Sequence, residues 1–153
     1  MNSLPPTRST ARQIAFQFIF RFDSEKEKQD PTPIRTEMIL HFQHFQTPEE
    51  SRDFALRLVL TTLQNLPILD QLAVQNLQNW RLERVGAVER ALLRMGIAEL
   101  LYFKDVPASV TLDEVIELAK HFGNDESASF LNGVLDPISK LPEVTTGKVA
   151  SNP

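Results

Sequence analysis

Residues 86–103 read GAVERALLRMGIAELLYF. Val88, Leu92, Leu93, Met95, Gly96, Ile97, Leu100 and Leu101 spread apolar surface around most of a helical circumference. A helix apolar on that scale must be covered on several sides, so the stretch predicts a central helix. Asp105-Val106-Pro107 ends it. Glu99 lies inside the apolar run, and a buried carboxylate needs a partner. A helix N-terminus or the amide of Asn132 is the expected one, which gives Glu99 a structural role.

Downstream, Thr111 and Glu114 read as a T-x-x-E capping box, with Val110 stapled on Val115. The helix they open turns Leu112, Val115, Ile116, Ala119 and Phe122 inward. Gly123 is placed to stop it in the left-handed conformation, and Asn124 to cap the next helix. That helix carries Ser127, Leu131, Val134 and Leu135 inward and has Pro137 at its end. Asn132-Gly133 also suits a two-residue hairpin, but a lone hairpin is marginal in water, so helix is the reading. Gly133 would then admit a neighbouring helix, with Asn132 reaching across that contact.

Upstream, a first helix runs from about Thr7 to Asp23. Ala11, Ala15, Phe18 and Phe22 share one face, and Phe16 and Phe20 widen the apolar surface. Ser24 to Pro33 is a charged loop. A second helix carries Ile34, Met38 and Phe42. Thr47 would cap a third, with Pro48 in its first position and Glu49 and Glu50 against its positive end. Trp80-Arg81-Leu82 is a hinge-like connector. The chain is therefore all-α, a compact bundle of about seven helices in one domain over 1–138. Residues 139–153 are expected to form a flexible tail.

The 153 residues contain no cysteine, which excludes zinc fingers, iron–sulfur clusters and thiol chemistry. No run reaches the roughly 18 apolar residues of a membrane span. Met1 to Thr10 lacks the apolar stretch of a secretory signal, so the expected location is the cytoplasm. The net charge is −4 but uneven. Residues 1–22 hold Arg8, Arg12 and Arg21 and no acid; residues 81–94 hold Arg81, Arg84, Arg90 and Arg94 against Glu83 and Glu89. Residues 99–136 are strongly acidic. Two such ends suggest two different partners.

No catalytic motif is present: neither a phosphate-binding glycine loop nor a G-x-S-x-G turn occurs. His41 and His44, with Glu37 as the sole local companion, read as exposed polar side chains rather than zinc ligands. Glu114, Glu117 and His121 share a face without the paired Glu-x-x-His motifs of a dimetal site. The chain is read as a binding protein, not an enzyme, with no cofactor or metal. Arg8 and Arg12, four apart, could contact phosphates, and Phe16 or Phe20 could stack on an unpaired base. On spacing alone, solvated arginines and core phenylalanines are the stronger alternative.

Three blocks together resemble the NusB family of bacterial transcription antitermination factors. They are Asp113–Lys120 with Phe122-Gly123, Ser127 and Phe130–Asp136; Val88–Met95 with Ala98-Glu99-Leu100; and Ala11–Gln17. The resemblance implies two packed three- to four-helix halves, about 7–66 and 67–138. It implies antitermination on ribosomal RNA operons, with binding to boxA RNA together with the ribosomal protein NusE. The pair would join an elongating RNA polymerase complex with other Nus factors. By the same resemblance Arg8, Arg12, Gln13, Phe20 and Phe130 face RNA, and Glu89, Glu126 and Ser127 lie at the partner surface. A homodimer through the first-helix surface is a further possibility that the resemblance raises. Ser9 and Thr10 interrupt the arginine run common in the family, and Phe20 lacks the hydroxyl common at its position. Affinity for RNA without NusE is therefore expected to be weak. The alternatives are a helical adaptor without RNA binding and the NusB-like domain of a ribosomal RNA methyltransferase.

Overall fold

In the computed structural model, which describes residues 7–24, 33–78 and 81–148, the central helix is α5 (Ala87–Tyr102). Every residue from Ala91 to Leu100 except Arg94 is buried. Around it lie α1 (Thr7–Ser24), α2 (Ile34–His44), α3 (Glu49–Gln64) and α4 (Leu66–Asn76). A 3-10 turn at Leu82–Arg84 leads into α5, and α6 (Ala108–Phe122), α7 (Asp125–Ser139) and α8 (Pro142–Thr145) follow it. No strand occurs among the described residues. One contiguous core runs from Ala11 to Val144 and includes residues of every helix. α5 packs against α1, α3, α4, α6, α7 and α8, whereas α2 is held by α1 and α3.

Within the core, helices pack closely at Gly96. A Cβ there would sit 3.2 Å from Leu135 and 3.3 Å from Val115, so the missing side chain lets α6 and α7 close on α5. Gly133, expected in that role, has nothing within 4 Å of its Cβ position, and Asn132 is also exposed. The reason is helical phase. Ala128, Leu131, Val134, Leu135 and Ile138 form the buried stripe of α7, which turns 132 and 133 outward.

Glu99 finds other partners than those expected. Arg12 grips it with both arms of its guanidinium, Nε to Oε1 at 2.8 Å and Nη2 to Oε2 at 2.9 Å. Thr111 donates its hydroxyl to Oε2 at 2.6 Å, and Arg12 Nη1 reaches Glu114 at 3.3 Å. Arg12, Glu99 and Thr111 are all at most 2% exposed. The capping box of Thr111 and Glu114 therefore does not form. α6 begins a turn earlier, at Ala108 after Pro107, and both side chains turn inward to the ion pair instead. Val110 stays partly exposed, so the staple is absent too.

Further corrections have similar causes. Gly123 has φ −116, not a left-handed value. Pro48 is extended and precedes α3, and Thr47 makes no side-chain cap, although Glu49 and Glu50 occupy the first turn. Residues 139–148 are not a free tail: Val144 is fully buried, and Lys148 Nζ donates to the carbonyls of Glu99, Leu100 and Phe103. Those carbonyls lie at the C-terminal end of α5, where Lys148 brings a positive charge to the negative end of the helix. Trp80, most of the loop after Ser24, and residues 149–153 lie outside the described residues.

A second polar cluster fixes the outer side of α5. Arg90 and Arg94 both bind Asp23 at the end of α1, at 2.7 and 3.2 Å, and Arg94 also makes paired bonds to Asp70. Burial by itself would raise the Asp23 carboxyl, but Arg90 and Arg94 outweigh it and hold its pKa down. His41, expected at the surface, is 1% exposed. It lies at 3.0 Å from the Ile14 carbonyl, which can only accept, so Nε2 carries the hydrogen. Burial lowers its pKa below 6.5, opposed by the Ile14 bond and aided by the charges of Arg21 and His44.

Two predictions follow from these buried groups. Arg12→Leu leaves the Glu99 charge without its cation and should cost about 3–5 kcal/mol in urea unfolding, while Asn132→Ala should stay within about 0.5 kcal/mol. His41 protonates more readily in the unfolded chain, so its stabilising contribution is complete above about pH 6.5 and declines as the pH falls below that. The thermal midpoint should drop over that interval, and His41→Gln should flatten the drop.

Candidate nucleic-acid and protein interface

Four of the anticipated site residues meet in one cleft. It has a volume of about 380 Å³ and is lined by Glu89, Glu126, Ser127 and Phe130, with Arg84 and Asn124 at its margin. The start of α5 and the start of α7 form its walls, so the positive ends of two helices flank it. Local chemistry sets this arrangement. Asn124 Oδ1 accepts the Ser127 N–H at 2.9 Å, and Ser127 Oγ accepts the Asn124 N–H at 3.3 Å, a reciprocal capping box. Ser127 Oγ also donates to Glu89 Oε2, which locks the α7 cap to α5. Ser127 is 4% exposed and wholly engaged, so it positions the cleft rather than offering a free hydroxyl to a partner. Glu126 is exposed, and Glu89 and Phe130 are partly so.

Glycines keep the corner tight. A Cβ on Gly86 would collide with the Glu89 carboxylate. One on Gly123 would stand 2.5 Å from Ser127 Oγ and 3.0 Å from the Ala119 carbonyl. Gly123 thus retains a structural role, as a site of close approach.

A second groove adjoins the first across the start of α5, where Val88 faces it and Glu89 faces the cleft. It has a volume of about 440 Å³ and is walled by Phe16, Phe20, Phe45 and Phe122. Phe16 lies 4.9 Å from Phe122 and 6.0 Å from Phe20, ring centre to ring centre. Phe16 is a core side chain, whereas Phe20 keeps part of its ring at the surface.

Arg21 of α1 also lines this groove, but the two arginines nearer the start of the helix lie elsewhere. Arg8 and Arg12 share a face, as their spacing requires, but that face looks toward α3 and α6. Both guanidinium groups sit over the Phe54 ring, at 4.6 and 5.1 Å. Arg8 also pairs with Asp105 at 3.0 Å and remains half exposed. Arg12 is sealed inside by Glu99, so its guanidinium is not presented to a phosphate. Gln13 is exposed over a shallow cleft that it shares with Glu114, Glu117 and His121, apart from Phe20 and Phe130. Of the basic segment 81–94, Arg90 and Arg94 are spent on Asp23 and Asp70, while Arg81 and Arg84 are exposed. Arg84 is the cation that sequence reading did not single out. Its signal was the arginine density of that segment, sorted only by packing. Among the described residues no three His, Cys, Asp or Glu side chains converge as a metal site, and no helix is long and apolar enough to cross a membrane.

Comparison with known proteins places this geometry in a family. Residues 9–140 match the NusB family. The transcription antitermination protein NusB of Exiguobacterium sp. (strain ATCC BAA-1283 / AT1b) is 41% identical over 133 residues, covering 87% of this chain and 97% of the relative. That of Bacillus thuringiensis (strain Al Hakam) is 35% identical over 131 residues, covering 86% and 95%. Among solved structures, T. maritima NusB superimposes with a TM-score of 0.74 at 30% identity, covering 90% of this chain and 93% of that one. A chain from a crystal structure of the antitermination factors NusB and NusE in complex with dsRNA superimposes with a TM-score of 0.75 at 27% identity, covering 88% and 96%.

The corner at Gly123 gives a direct test of how tightly the cleft is built. Gly123→Ala should lower stability by about 1–3 kcal/mol through overpacking. Gly133→Ala, in open space on the same helix pair, should raise it by up to about 1 kcal/mol. Thermal unfolding of the two variants reads both signs.

Proposed function

The chain belongs to the NusB family, and on that premise we propose that it is a transcription antitermination factor. It binds boxA RNA jointly with the ribosomal protein NusE and joins the elongating RNA polymerase complex, chiefly on ribosomal RNA operons. It acts by binding, without a catalytic step, in the cytoplasm where transcription takes place.

The observation that carries this reading is the cleft between the starts of α5 and α7, with the aromatic groove of α1 reached at the neighbouring residue Val88. The two supply what an unpaired RNA strand needs: aromatic rings to stack on, a nearby arginine, and helix N-termini that favour phosphate. Phe130 and Phe20 take the stacking role and Arg84 a phosphate. Exposed Glu126, with Glu89 beside it, offers negative charge to a basic ribosomal protein, so RNA and protein meet along one edge. Ser127 acts through Glu89. Arg8 and Gln13 contribute at most from the flank, because they open onto other faces. The net charge of −4 keeps the affinity of the chain alone for RNA low, and NusE strengthens it.

Fluorescence anisotropy of labelled boxA RNA, with and without NusE over a salt series, tests the reading. Binding should strengthen with NusE and exceed that of a scrambled RNA. Phe130→Ala should weaken it by about 1–3 kcal/mol. Arg84→Ala should lower the salt slope by about one. Equal binding of boxA and scrambled RNA with NusE present would overturn the proposal.

A further inference from the structure

The stretch from 58 to 80 holds one charged residue, Asp70, in a chain that is 24% charged. Arg94 neutralises that one, with paired bonds at 2.8 and 3.0 Å. The stretch takes in the end of α3 and all of α4. Helical phase divides α4 into two faces. Leu69 and Ala73 are fully buried, while Pro67, Ile68, Gln71, Val74 and Gln75 are exposed. Successive residues turn by about 100°, so these five lie within about 60° of Gln71 and form a single stripe. Ile68 is 48% and Val74 54% exposed, and no charge accompanies them on this face. α2 also exposes Ile39 and Leu40, but Arg35 is exposed on that helix. Neither the cleft nor the aromatic groove includes a residue of α4, so the stripe belongs to no site assigned above. Charged residues are depleted in the cores of protein interfaces, which is the composition found here.

We propose that this stripe docks on a second copy of the chain, as an antiparallel pair of α4 helices about a twofold axis at Gln71. In such a contact the same patch serves both copies, so it must complement itself. An axis at Gln71 sets each residue before it against the residue equally far after it on the other copy. Ile68 then packs on Val74 of the second copy, and Val74 on Ile68 of the second copy. Pro67 and Gln75 face each other in the same way. The two Gln71 amides meet at the axis, where each can donate an N–H and accept one. Copies of a chain with a net charge of −4 repel, and an acid on the contact would meet its like across the axis. The neutrality of the α4 stripe removes that obstacle. α4 supplies 11 residues, fewer than the about 20–30 a side of a standard interface, so the pairing is weak and reversible. It leaves the cleft and the aromatic groove open, whereas a dimer through the first helix would cover Phe16 and Phe20. The inference goes beyond the antitermination reading and does not depend on it.

The test is sedimentation of the full chain from about 10 μM to about 1 mM, a range that brackets weak pairing. Monomer should give way to dimer across it, and about 0.5 M salt should change little, because no charge takes part. Gln71→Lys sets two like charges against each other on the axis and should weaken dimerisation at least tenfold. Gln71 is exposed, and an unchanged thermal midpoint would show that the variant folds. Ile68→Lys alone should also weaken the dimer. Combining it with Val74→Glu on the same chain should restore the dimer, since opposite charges then face each other twice about the axis. That rescue fixes the register and cannot come from a loss of folding. BoxA RNA with the ribosomal partner should leave the α4 contact intact. A chain that stays monomeric throughout, a dimer unaffected by Gln71→Lys, or a dimer that RNA dissociates would each overturn the proposal. If boxA RNA does not bind at all, the antitermination reading falls, and the sedimentation of the variants still decides the dimer.

Discussion

The ion pair between Arg12 and Glu99 holds the first helix to the centre of the molecule. Both charges are inside, so neither can be solvated, and each is acceptable only because the other meets it at two points. Thr111 and Glu114 complete the set, which binds α1, α5 and α6 in one register. Once α1 is fixed in this way, its phase is fixed as well. Arg8 and Arg12 must look toward Phe54, and Phe16, Gln17 and Phe20, one to two turns further along and rotated round the helix, line the groove beside Val88. The placement of the groove wall thus depends on a structural pair one to two turns earlier on the same helix.

The opposite end of the construction is made from short polar contacts. The box between Asn124 and Ser127 starts α7, and Ser127 ties it to Glu89 on α5. Gly86 and Gly123 leave the space these contacts need. The cleft is therefore preorganised by these contacts, with Glu126 and Arg84 exposed beside it and Phe130 partly so. Rigid placement of a few exposed groups lowers the ordering cost of binding.

Much of this was legible in the sequence. The apolar circumference of 86–103 placed the central helix, Asn124 announced the start of α7, and the family resemblance pointed to Glu89, Glu126, Ser127 and Phe130 as candidates. What the sequence could not convey was which polar groups turn inward. Thr111 and Glu114 satisfy a capping pattern locally, yet a buried carboxylate 12 residues away competes for Thr111 and the tertiary contact prevails. Arg12 looked like a surface cation for the same reason: its partner lies 87 residues along the chain. His41 could not be placed either, because its burial depends on how α2 lies against α1. Gly96 and Gly133 are alike as letters, and only the packing of α6 and α7 distinguishes them.

The central claim is that the starts of α5 and α7, together with the groove of α1, form one continuous RNA surface. A backbone amide NMR footprint of boxA RNA on the nitrogen-15-labelled chain, in the presence of NusE, examines it directly. The account predicts that RNA perturbs residues 16–21, 86–89 and 122–130, and leaves the surroundings of Arg8 and Asp105 unchanged. Perturbations confined to the N-terminal turn of α1 and the 103–107 loop, with the cleft silent, would contradict it.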